Sequence, residues 1–335
     1  MTSYLNPNQK KIKDALIVHK NDLVPFIKTR VSQCSINEIK VWFNDANIEK
    51  ILTNSPNELV TINNRFFSEL PNYELIEYNS YLSDIRKRNL TIDQRSIRGK
   101  YSGLREELEK IFDYNNYFSS KISPYSTYDL ANNLDIPTCP YCNRMYTKTV
   151  INKQINGLVQ KITRPEFDHW FPKSKFPLLA LSFFNLIPSC HTCNSSVKGN
   201  SDFVLSTHLH PYLDEKINMQ FSYEFDKNLN NHKFKINYSG DTNGKAQKSA
   251  EEFLLKEIYE THEDEIKDLL RIKNAYSDAY LQKLSNLLGT SVSDEEVYRL
   301  AFGTYIQEAS FDRRPLSRMK RDILKELGII KPKNL

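Results

Sequence analysis

Two cysteine pairs, Cys139 with Cys142 in "CPYC" and Cys190 with Cys193 in "CHTC", carry the clearest chemistry in this chain, whose remaining cysteine is Cys34. A CxxC turn lets two thiolates converge on one ion, and two such knuckles supply the four ligands of a closed, tetrahedral zinc site. Such a site has no open coordination position, so the zinc it implies holds the fold and catalyses nothing. The competing chemistry is a dithiol redox pair, which expects one motif at a strand-to-helix turn of a βαβ unit. Here there are two motifs without that context. Pro140 stiffens the first knuckle, and Cys34, alone in "VSQCSIN", reads as a small buried residue.

Between the pairs runs "EFDHWFPKSKFPLLALSFFNLIPSC", and Asn194 follows Cys193 directly. Taken singly, an Asp-His dipeptide is incidental and an Asn caps or turns; their order between two knuckles is what distinguishes them. The order resembles the HNH endonuclease family, whose ββα-metal core reads Asp-His, then Asn-Leu, then Cys-x-x-Cys-Asn with a nearby Lys. The matching residues are Asp168 and His169, Asn185 and Leu186, Cys190, Cys193 and Asn194, then Lys198. Many family members place a third His where Asn194 stands, a departure that changes ligand strength. His191 lies inside the knuckle and is not that ligand.

Hydrolysis of a phosphodiester needs an activated water and a cation to neutralise charge on the phosphate and the departing oxygen. The resemblance gives His169 the role of general base, and gives Asp168 and the amide oxygen of Asn194 the role of ligands to a catalytic Mg²⁺ or Mn²⁺. It implies that Asn185 pins the loop that orients His169. Lys173, Lys175 and Lys198 are candidates for phosphate contacts, as point cations that need no fork geometry. His208 and His210 read as packing by default, with an accessory metal or substrate role as the alternative.

The phrases "NLDIPTCPYCNRMY", "FDHWFPKSKFPLLALSFFNLIPSCHTCN" and "RRPLSRMKRDILKELGI" look like the HNH subunits of Septu-type bacterial anti-phage systems, which act with an ABC-type ATPase. That resemblance implies that the flanking regions dock on such a partner or on a second copy of the chain. The chain shows no GxxxxGK[ST] phosphate loop of its own.

The elements that must position these residues are legible in outline. Residues 1–130 carry helical patterning, as in "NELVTINNRFFSEL" and "SGLREELEKIFDYNNYF". Within this region Arg86, Lys87, Arg88, Arg95, Arg98 and Lys100 form a basic window, read as a solvated face ahead of a phosphate patch. Residues 131–215 hold the cysteines and the HNH-like motif, with irregularly spaced prolines and aromatics. Residues 216–335 begin with a hairpin, where Met219, Phe221, Tyr223 and Phe225 alternate with polar residues and Phe234, Ile236 and Tyr238 follow an Asn-rich turn. Helices come next, with Gly289 as a stop, Ser293 and Glu296 as a capping box, and a basic amphipathic helix near the end whose cations read as a solvated face. With the small ββα-metal core that the resemblance implies, the fold class expected is α+β: that core, with a four-cysteine zinc site, between mostly helical regions.

The chain has 335 residues, 39% hydrophobic and 26% charged. Its 46 Lys and Arg against 41 Asp and Glu give a net charge of +5, which permits a polyanionic partner without requiring one. No apolar run reaches membrane-spanning length and the start lacks the apolar core of a signal peptide, so a cytoplasmic location is expected, where thiols stay reduced and available to a metal. The leading function is a metal-dependent endonuclease that nicks DNA, two copies being needed for a double-strand break. A variant takes structured RNA, such as transfer RNA. A third reading, from another class, is a zinc-stabilised nucleic-acid-binding or assembly module, which would have no need of Asp168, His169 and Asn194 together.

Overall fold

The structure, a computed structural model, describes residues 1–153, 159–199, 201–228, 231–275 and 293–330, with positions 283, 286 and 287. The chain opens with α1 (Lys10–Ser32), which buries Ile12, Ala15, His19, Leu23, Ile27 and Val31 at helical spacing. Against it pack α2 (Asn37–Trp42), α3 (Asp45–Thr53), α6 (Ile92–Ile111) and α7 (Thr127–Leu134), while α4 (Pro56–Glu69) lies on α3 and α5 (Leu75–Asp84) on α4 and α6. Capping boxes set three of the starts: Ser55 with Glu58, Thr91 with Gln94, and Ser126 with Asp129. After α6 comes one wide π turn, Tyr114–Phe118, opened by the Asp113 carboxylate accepting from the Asn116 amide at 2.8 Å.

Three two-stranded antiparallel sheets follow: β1 (Val150–Lys153) with β2 (Val159–Thr163), β3 (Glu166–His169) with β4 (Leu186–Ser189), and β5 (Gln220–Asp226) with β6 (Asn231–Asn237). In the last, Phe221 stands opposite Ile236 and Tyr223 opposite Phe234, the pairing that the alternating residues predict. Part of its Asn-rich turn, at 229–230, lies outside the described residues. Then come α8 (Lys245–Glu252), α9 (Leu255–Glu260), α10 (Glu263–Ala275), α11 (Asp294–Phe302) and α12 (Ser317–Glu326). The Ser293 and Glu296 capping box is formed at the start of α11; Gly289 lies outside the described residues.

The fold is thus α+β, and one connected set of buried side chains runs from α1 through Trp170, Phe183 and Ile187 around β3 and β4 to Met319 and Ile323 of α12. No helix among the described residues is long and apolar enough to cross a membrane.

Helix α12 departs from the expectation of a solvated basic face. Arg318 and Arg321 are 5% and 8% exposed, with Asp322 at 4%. The Arg318 guanidinium donates to the carbonyls of Thr2 (2.9 Å), Ile217 (3.0 Å) and Met219 (2.6 Å), and Asp322 accepts from the Phe221 amide at 3.0 Å. Backbone groups at the entry to β5 have no ladder partner there, and a five-donor fork satisfies several at once. In the basic window, Arg98 donates to the carbonyls of Asp84 and Lys87, while Lys87 and Lys100 pair with Asp84 and Glu77. Arg86, Arg88 and Arg95 are exposed.

Candidate functional site

The four cysteines meet. Cys139, Cys142, Cys190 and Cys193 are buried, with their sulfur atoms all within 4.8 Å of one another. Cys142 Sγ and Cys190 Sγ stand 3.9 Å apart, too far for a disulfide at about 2.05 Å. That spacing is close to the ~3.8 Å edge of a sulfur tetrahedron around an ion with bonds of ~2.3 Å. The amides of Arg144 and Cys193 point at Cys142 Sγ and Cys190 Sγ, at 3.4 and 3.5 Å. Four thiolates this close together and this buried would repel one another without a cation among them. The quartet is a set that could hold a metal such as zinc.

Strands β3 and β4 place the Asp-His pair beside it, with Asp168 opposite Ile187 and His169 opposite Leu186. Asn185, fully buried, sits just ahead of β4. Its Oδ1 accepts from the Phe171 amide at 2.7 Å, and its Nδ2 donates to the carbonyls of Phe171 (3.1 Å) and Leu179 (2.9 Å). One side chain therefore ties both ends of the loop between the strands. Beside Leu179, the Ala180 carbonyl lies 3.0 Å from His169 Nε2. A carbonyl only accepts, so Nε2 carries the proton and Nδ1 keeps its lone pair. Burial, reinforced by the Lys173 ammonium, holds this imidazole down at about 3, neutral through the physiological range. The Tyr114 ring meets it edge-on at 4.5 Å.

Asp168 is 3% exposed and held from two directions. Its Oδ1 takes the Lys198 ammonium at 2.9 Å and its Oδ2 the Tyr141 hydroxyl at 2.5 Å. Lys198, considered above for a phosphate contact, is itself 2% exposed and also donates to the His169 carbonyl at 3.0 Å. The π turn Thr192–Lys198 carries it under β3, where a buried carboxylate needs a counter-charge. Lys175 is paired with Asp202 on the surface. Lys173 stays at the site, its ammonium on Asn115 Oδ1 at 2.5 Å and 4.7 Å above the Tyr114 ring.

Asn194 donates through Nδ2 to Glu166 Oε2 at 2.7 Å, which leaves its amide oxygen as the acceptor. Glu166 also accepts from Ser195 Oγ (2.8 Å) and from His191 Nδ1 (2.7 Å) on the exposed side. The residues meet in a cleft of about 530 Å³ lined by Tyr114, Arg164, Glu166, Asp168, His169, Lys173 and Asn194. Sequence reasoning missed Glu166, although it stands two residues before Asp168 and therefore on the same strand face. It also missed Tyr141, hidden inside a motif read for its cysteines, and Tyr114, brought in from the helical region. His208 and His210 are buried and pack: His208 is stacked on Phe203 at 4.5 Å and His210 is 4.8 Å from the Trp170 ring.

A neutral imidazole with a free nitrogen, two carboxylates, an amide oxygen and flanking cations can take a proton from water and offer hard oxygen ligands to a divalent ion. No family model matches the chain, and no solved structure does. Among curated proteins it is similar to Protein ea31 of Escherichia phage lambda, 30% identical over 115 residues, which cover 33% of this chain and 32% of that protein. The chain thus spans about a third of the length of this relative.

Proposed function

We propose that the chain is a metal-dependent endonuclease of the HNH kind, hydrolysing phosphodiester bonds of nucleic acid, with DNA favoured over RNA. The observation that carries the reading is the placement of His169: Nε2 committed to the Ala180 carbonyl, the Nδ1 lone pair left unprotonated, and the ring in the lining of the cleft with Asp168 and Asn194. A zinc-stabilised binding module would have no use for a buried histidine kept in one tautomer beside two carboxylates.

In this account His169 Nδ1 accepts the proton of the attacking water. Asn185 keeps the loop closed so that the Ala180 carbonyl stays on Nε2. Asp168 and the amide oxygen of Asn194 would hold the divalent ion, Mg²⁺ or Mn²⁺, with Glu166 close by. When bound, that ion supplies positive charge to the phosphate and the departing oxygen. Lys173 and Arg164 on the cleft wall offer charge to the flanking phosphates. Zinc on the four thiolates would lock the knuckles that carry Tyr141 and Asn194. The resemblance to Septu-type subunits supports a role as effector nuclease in anti-phage defence, with an ABC-type ATPase as partner.

Purified chain incubated with supercoiled plasmid and with total RNA tests the reading. Cutting of one of them in Mg²⁺ or Mn²⁺, abolished by EDTA, is expected. Zinc-loaded chain that cuts neither, alone or with its ATPase, overturns it.

A further inference from the structure

Next to the cleft lies a second chamber of about 590 Å³, and the two share Tyr114, Lys173 and Ser174 as their common wall. The chamber is built by the end of α6 and the π turn after it, and Pro177 and Ala180 give it apolar surface. Its polar lining is what marks its ligand. Glu106, Glu109 and Asp113 face it, and three of its four cations are matched by carboxylates: Arg105 pairs with Glu109 at 2.6 Å, Lys110 with Glu107 at 2.9 Å, and Arg30 with Asp113 at 4.0 Å; the fourth, Lys173, stands in the wall shared with the cleft, on the neutral Asn115 amide.

A track for a phosphate backbone needs unmatched positive charge, because affinity for it comes from neutralising phosphates. Carboxylates repel phosphates and accept hydrogen bonds from the exocyclic amines of bases. The amides of Asn115 and Asn116 add donors and acceptors, Tyr114 adds an aromatic edge, and the volume lies in the range that holds a nucleotide-sized ligand. A nucleotide next to a phosphate held at His169 reaches this chamber across the shared wall only if its base is free of a pairing partner.

Resting on the nuclease reading above, we propose that this chamber receives an unpaired nucleobase adjoining the scissile phosphate, so that the substrate is a single-stranded, looped or bulged nucleic acid.

The test uses full-length His169→Ala chain with its zinc content verified, and oligonucleotides carrying 2-aminopurine at one position, as DNA and as RNA, single-stranded, bulged or fully paired. Unpaired probes are expected to bind more tightly than the paired duplex. In the background of that variant, Glu106→Gln with Glu109→Gln is expected to weaken the unpaired probes at least about fivefold, the low end of one base-edge contact, and to leave the duplex unchanged or tighter. If the double substitution tightens both probes alike, the chamber is a backbone track and the proposal falls; equal binding of paired and unpaired probes, or no binding, also overturns it. Cleavage by the wild type is scored separately. Selective binding without any cleavage would sink the nuclease reading while leaving the base pocket standing.

Discussion

Asp168 shows how much of the site depends on single atoms behind it. Both carboxylate oxygens are engaged inside the protein, by a phenol from the first knuckle and an ammonium from the turn after the second. Replacing Tyr141 with Phe keeps the ring stacked 4.2 Å from Phe253 but removes one hydrogen bond. We expect zinc content unchanged, stability lower by about 1–3 kcal/mol, and a higher Mg²⁺ concentration for half-maximal cutting, read by titrating the ion at fixed substrate. Lys198→Met preserves the length of the chain and strands a buried carboxylate without its counter-charge. A loss of about 3–5 kcal/mol in urea unfolding is the expected result, and a variant as stable as the wild type would show that the pair does not hold the site. The types and order of Asp168, His169 and Asn185 were legible in the sequence because their chemistry is tied to residue identity. The inward turn of Lys198 was not, since it depends on the pitch of a π turn that no spacing rule foresees.

At the scale of elements, the knuckles and the last helix form one unit. Asn143, directly after Cys142, has φ 47° and donates through Nδ2 to the carbonyls of Phe311 and Arg314 and to Thr138 Oγ1. Its Oδ1 accepts from the Arg318 amide, and its carbonyl accepts from the Leu316 amide at 2.6 Å. The Tyr259 hydroxyl closes on the Cys142 carbonyl. Asn143→Gly keeps the left-handed backbone but removes the side-chain bonds, with a cost of about 2–3 kcal/mol expected; Asn143→Ala adds strain and should cost roughly 1 kcal/mol more. If the quartet carries the proposed zinc, chelation should raise amide exchange in α12 along with the knuckles, although α12 contributes no cysteine; protection in α12 that survives chelation would separate them. The start of α11 and the β5–β6 hairpin could be read from a capping box and from alternation. The burial of α12 could not, because its arginines are satisfied by carbonyls distant in sequence.

For the whole molecule, buried histidines set the acid limit. Burial holds His19 down at about 4 and His210 at about 3, against an ordinary 6.5. His19 sits between the Leu181 carbonyl and Tyr125 in the contact of α1 with the site loop. As pH falls below 6.5 the unfolded chain takes up these protons and the folded chain does not, so stability drops between about 6.5 and 4. Each group contributes up to ~1.4 kcal/mol per pH unit. Urea midpoints should fall over that window, and His19→Gln should flatten the slope; an unchanged slope would place the acid sensitivity elsewhere. The mixed α+β character of the chain was readable from pattern alone. The way the helical region adds Tyr114 to the cleft, with Asn115 holding Lys173 beside it, was not, since contacts between distant segments leave no periodic trace.

The central claim is that His169 is the base of a nuclease. Wild-type chain and His169→Ala, each assayed for zinc at the four-cysteine site, should be compared for Mg²⁺-dependent cutting of supercoiled plasmid, matched single strands and RNA. The wild type should cut at least one of them, and the variant should lose about 100-fold or more in rate with its zinc and fold intact. A zinc-loaded variant that cuts as fast as the wild type would contradict it.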